Sequence, residues 1–105
     1  MGIEKQRLTQ MLFDDMAKIY KMNGEVLYIE PKNGSDFSLE ELKEIVRGYI
    51  EILPLAEDEI MVLNEEGKCK NLTVNTMATY LLWDAGYHGD YIVGDVLVCK
   101  RDEVK

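Results

Sequence analysis

The stretch YIEILPLAEDEIMVLN, residues 49–64, decides how this chain folds. It holds two apolar runs, Tyr49 to Leu55 and Glu59 to Asn64, parted by the short polar link Ala56-Glu57-Asp58. Runs of this length, rich in Ile, Leu and Val, predict strands, and the short link predicts an antiparallel hairpin. Both faces of each run are largely apolar: Ile50 and Ile52 against Tyr49 and Leu53, Ile60 and Val62 against Met61 and Leu63. Such strands suit the middle of a sheet covered on both sides.

Working back from the hairpin, Ser38 with Glu41 three residues later forms a capping box, so Leu39 to Arg47 is expected to be a helix. Leu42, Ile45 and Val46 form its apolar side, and Gly48 is expected to cap its end. Glu25 to Glu30 reads as a strand closed by Pro31. Asn33-Gly34 then predicts a tight turn, with a short return strand through Phe37. Earlier still, Leu8, Met11, Leu12, Met16 and Ile19 recur at helical spacing. They predict an amphipathic helix from Glu4 to Lys21, stopped by Asn23-Gly24.

Downstream, Glu65-Glu66-Gly67-Lys68 reads as a turn and Cys69 to Leu72 as one more short strand. Thr73 or Asn71 can cap a helix to about Trp83, with Val74, Met77, Leu81 and Leu82 on its buried side. A loop with Gly86 and Gly89 leads to a last strand, Tyr91 to Lys100. The expected fold is α+β: one domain over residues 23–105, preceded by an added amphipathic helix at 1–22. Its sheet is mixed or mainly antiparallel, with four to five strands and about three helices in all. Helix 39–47 could serve as a crossover between parallel strands.

Composition bounds the function. The chain has 105 residues, 47% hydrophobic and 30% charged, in the globular range. No apolar run approaches the roughly 18 residues needed to cross a bilayer. Ile3 is followed at once by Glu4-Lys5-Gln6-Arg7, which is unlike a secretion signal, so a cytoplasmic location is expected. Cys69 and Cys99 form no C-x-x-C motif and read as free thiols.

The formal charge is −8, and residues 36–66 carry ten acids against only Lys43 and Arg47. That balance argues against direct contact with a nucleic-acid backbone. The plain reading is a solvated acidic surface. The sharper one is a surface for a basic protein partner, centred on Glu57, Asp58 and Glu59. A second copy of the chain, paired through the N-terminal helix, is the other partner to expect.

Catalytic constellations are missing from the sequence. There is one histidine, His88, in the turn Gly86-Tyr87-His88-Gly89, and only two serines, Ser35 and Ser38. Neither a zinc ligand set nor a phosphate-cradling loop can be assembled, so no metal and no cofactor is expected. One polar set stands out. Asn64 and Glu65 lie at a strand end and its turn, and Asn75 and Thr79 lie on the following helix. They could line a small polar site, although turn and cap chemistry explains the same residues.

Four segments together carry a family resemblance: Gly48-Tyr49-Ile50-Glu51, Asn64-Glu65-Glu66-Gly67-Lys68, Leu72 with Asn75 and Ala78, and Asp90-Tyr91-Ile92-Val93-Gly94. Over about residues 24–100 the chain resembles the domain-of-unknown-function family numbered 3846, whose members occur in phages, plasmids and other bacterial mobile elements. The resemblance implies a setting, not a reaction, and carries no site residues. The expectation is a non-enzymatic accessory protein acting by protein–protein contact through its acidic surface. The alternative is a small-molecule-binding module or modest enzyme with its site near Asn64 and Asn75.

Overall fold

The hairpin forms as its sequence implies, with β3 at Ile50–Pro54 and β4 at Glu59–Asn64 paired antiparallel. The computed structural model describes residues 16–104. Ahead of the hairpin come β1 (Ala17–Tyr20), β2 (Val26–Ile29) and helix α1 (Leu39–Val46). After it come helix α2 (Thr76–Asp84), β5 (Val96–Lys100) and a 3-10 turn at Arg101–Glu103. The five strands make one antiparallel sheet in the order β2-β1-β5-β4-β3. The fold is α+β, with two α-helices among the described residues.

Each face of the sheet has its own core. The register sets Leu97 between Ile19 and Val62, and Cys99 beside Ile60, all on one face. There they pack with Ala17, Phe37, Leu42 and Val46, so α1 covers this side. On the other face Met61 and Val98 join Leu63 and Val96 against Ala78, Leu82 and Ile92, so α2 covers that side. Strands β4 and β5 are therefore sandwiched between two helices, and Met61, Val62, Val96 and Leu97 are fully buried.

Several expectations need correction. Strand β3 is not central: it forms an edge of the sheet, and Ile52 stays 42% exposed. Ala17–Tyr20, expected within the first helix, is strand β1 between β2 and β5. Ala17 and Ile19 face the α1 side while Tyr20 faces the other, so the same residues also satisfy a two-residue alternation. The remainder of that expected helix, at residues 1–15, lies outside the described residues, as does pairing of two copies through it.

Three element ends also move. Arg47, not Gly48, takes the left-handed conformation that ends α1 (φ 62°, ψ 46°). The cap of α2 is Asn75 rather than Asn71 or Thr73; Ala78 and Thr79 are buried with Leu82, whereas Val74 and Met77 are half exposed. Residues 65–71 form turns with local bonds, Lys70 N–H to Glu66 O and Leu72 N–H to Gly67 O, in place of a strand at Cys69–Leu72. The last strand begins at Val96 because Gly94 bends the chain (φ 77°) and the Asp95 carboxylate is held by the Met22 N–H.

Candidate functional site

Asn64 and Asn75 are both buried, and both are occupied by the fold. Asn64 ends β4, and its amide nitrogen donates to Val46 O (3.0 Å) and Arg47 O (3.3 Å), the last carbonyls of α1. Its amide oxygen accepts from the Glu66 N–H at 2.8 Å. The approach needs a glycine opposite, since a Cβ on Gly48 would stand 2.8 Å from Asn64 Nδ2. Asn75 donates to Tyr20 O and to Gly94 O, each at 2.8 Å, and accepts from the Ala78 N–H. It thus pins α2 to the ends of β1 and β5. Thr79 donates to Asn75 O and accepts from the Ile92 N–H. Buried amides whose donors are all paired and whose oxygens each accept a backbone N–H hold a fold together.

Beside this scaffold lies a cleft of about 240 Å³ on the α2 side of the hairpin. Glu51 and Leu53 of β3 form one wall, and the turn with Glu65, Lys68 and Cys69 forms another. The loop with Tyr87, Asp90 and Tyr91 closes it. Of the sequence-predicted set, Asn64 and Glu65 border the cleft, whereas Asn75 and Thr79 lie at the buried start of α2 and do not line it.

The polar heart of the cleft is Lys68. Its ammonium donates to Asp90 Oδ1 at 2.6 Å and stands 4.3 Å from the centre of the Tyr91 ring. Asp90 is held in turn, because Oδ1 accepts from the Tyr91 N–H and the Asp90 carbonyl accepts from Trp83 Nε1–H at 2.7 Å. The hydrogen bond to Lys68 lowers the Asp90 pKa, and the same bond raises that of Lys68. Tyr87 ties the loop to β3 by donating to Pro54 O at 2.9 Å.

An aromatic surface continues from the cleft along α2. Met77, Tyr80, Trp83 and Tyr91 are each 40–57% exposed, and the Tyr80 and Trp83 rings meet edge to face with centroids 5.8 Å apart. These residues were missed by the sequence reading. The available signal was the spacing of Tyr80, Trp83, Tyr87 and Tyr91, three or four residues apart across a helix end and into a loop.

The acids of residues 36–66 are spread over several element ends. Glu57, Asp58 and Glu59 sit at the start of β4, where Glu57 takes a left-handed turn (φ 62°) and Asp58 O accepts from the Arg101 N–H. Glu65 and Glu66 lie past the other end of that strand, roughly 17 Å away at about 3.3 Å per residue. Glu40 and Glu41 open α1, close to the chain's end, where the Phe37 N–H donates to Glu103 O. Among the described residues no group of His, Cys, Asp and Glu side chains could hold a metal ion. No described helix is long and apolar enough to cross a membrane.

Three of the four segments that carry the family resemblance contribute lining residues to this cleft, through Glu51, through Asn64, Glu65 and Lys68, and through Asp90 to Val93. A Cβ on Gly67 would stand 2.8 Å from a Val93 methyl, and one on Gly94 would stand 2.8 Å from Leu72 Cδ1. The motif glycines therefore close the packing between the Asn64–Lys68 turn and the Asp90–Gly94 loop. No curated protein and no solved structure matches the chain. A family model does, over residues 21–105, and the chain belongs to that family, a domain of unknown function designated DUF3846.

Proposed function

We propose that this protein is a non-enzymatic accessory protein that works by protein–protein contact, through the cleft and the aromatic surface of α2. Its setting would be a bacterial mobile element, as the family resemblance implies. The observation that carries this reading is the exposure of Met77, Tyr80 and Trp83 at three-residue spacing on α2, with the exposed Tyr91 lining the cleft. Exposed aromatic and methionine side chains are the residue types enriched at protein interfaces. At about 240 Å³ the cleft falls below the 300–1,000 Å³ or so of typical small-molecule pockets, so it suits a single side chain of a partner. The acidic character enters through the walls, where Glu51, Glu65 and Asp90 outnumber Lys68.

The test compares two surface variants of the full chain as baits in bacterial lysate. One is Met77→Glu with Tyr80→Glu, and the other reverses Glu57, Asp58 and Glu59 to lysine. The proposal expects a partner held by wild type to be lost, by roughly tenfold or more, only with the first variant. Loss only with the second would move the interface to the hairpin turn and defeat the reading.

A further inference from the structure

Lys68 lines the cleft beside Asp90 and Tyr91. A long, half-exposed lysine has folded its ammonium between a carboxylate and an aromatic face supplied by a loop 22 residues away in sequence. The Glu51 carboxylate, from the edge strand, acts on the same charge. Aromatic faces and carboxylates converging on one point are the chemistry that selects a cation. We propose that the cleft is a cation site, occupied in the free protein by the chain's own Lys68, and that it receives an arginine side chain of a protein partner. This rests on the binding surface proposed above and adds the chemistry of the partner.

Five features support an arginine. With Lys68 turned aside, Glu51, Glu65 and Asp90 leave the cleft with no positive group among its described lining residues. A planar guanidinium can stack on the Tyr91 ring and present a fork to the Asp90 carboxylate, which an ammonium cannot do. Asp90 is already fixed in place by the Tyr91 N–H and, through its carbonyl, by Trp83. Lys68 is easily displaced, because its ion pair is half exposed and such pairs hold weakly. The cleft is also open beside the exposed Trp83 and Tyr91, so an incoming side chain need not cross the core.

The test titrates the full-length protein with N-acetyl-arginine amide, read by amide NMR shifts, in wild type, Lys68→Met and Tyr91→Leu. The proposal expects saturable shifts at Tyr87, Asp90 and Tyr91. Affinity should rise up to about fivefold in Lys68→Met, where the internal competitor is gone. It should fall in Tyr91→Leu, and all three affinities should weaken with added salt. Absence of shifts in both wild type and Lys68→Met overturns the proposal. So does weaker binding in Lys68→Met, or binding of N-acetyl-glutamate that needs Lys68, since either would make the lysine a ligand for an anion. Failure here with partner capture still lost in the α2 variant would remove the cation chemistry and leave the binding surface standing.

Discussion

Strands β3 and β4 are the two arms of one hairpin, similar in apolar content, yet they live in different surroundings. Five of the six residues of β4 are buried, whereas no residue of β3 is. Helices α1 and α2 cover β4 from both sides, and β5 flanks it. Strand β3 sits at the sheet's edge, where Glu51 and Pro54 suit it. Pro54 has no N–H to offer a further strand, and a charged edge residue discourages pairing with another chain. The burial of a strand is therefore decided by which elements land on it, and its own residues only permit that outcome.

The largest test of this contrast is truncation on the two arms. Met61 of β4 has no exposed surface, and Met61→Ala should cost about 2–5 kcal/mol through lost burial and the cavity left behind. Ile52→Ala on β3 removes a side chain that is 42% exposed and should cost under about 1.5 kcal/mol. Chemical denaturation of both variants checks the difference. Equal losses would mean that β3 is covered in solution.

A smaller effect is expected where β4 ends. Asn64→Ala leaves Val46 O, Arg47 O and the Glu66 N–H without their amide partner. The expected loss is about 1–3 kcal/mol, with the end of α1 opening first. Hydrogen exchange would show it as lost protection in the last turn of α1 with α2 unchanged. An even loss across both helices would contradict the local role assigned to Asn64.

What could be read from the sequence follows the same division between local and distant causes. Helix α1 was legible because Ser38 and Glu41 signal its start to each other, and both hydrogen bonds of the capping box form (Glu41 N–H to Ser38 Oγ, 3.1 Å; Ser38 N–H to Glu41 Oε1, 2.9 Å). The hairpin was legible because its turn is short. Strand β1 was not, because Met16 and Ile19 fit a helical spacing as well as Ala17 and Ile19 fit an alternation. The pairing of Ile19 with Leu97 decides the matter from 78 residues away. The cap of α2 was misplaced for a similar reason: Asn71 and Thr73 are able caps, and the carbonyls of Tyr20 and Gly94 select Asn75 instead. The cleft was hidden most deeply, since Glu51, Lys68 and Asp90 come from three separate segments. Asn64 and Asn75 drew notice as polar residues, and the fold employs them as fasteners.

The smallest effect separates the two cysteines, one in the covered half of the sheet and one at the cleft. Cys99 lies on β5 beside Ile60 and is 3% exposed, whereas Cys69 is exposed. Burial pushes the Cys99 thiol from 9.0 up to about 12, with the Glu103, Asp102 and Glu59 carboxylates adding to the rise. The folded chain therefore keeps its proton where the unfolded chain gives it up. Stability from this group is complete below about pH 9 and is lost as pH rises toward 12. At one pH unit above the unfolded value the loss should be on the order of 1 kcal/mol. Tyr20, raised mainly by its own burial, titrates in any variant, so Cys99→Ala isolates the thiol. Stability measured from pH 7 to 10 should fall more steeply in wild type than in Cys99→Ala. In the native protein at pH 8, a thiol reagent should label Cys69 quickly and Cys99 only through unfolding. Equal labelling of both, or parallel pH curves for wild type and Cys99→Ala, would show that β5 is not sealed between the two helices.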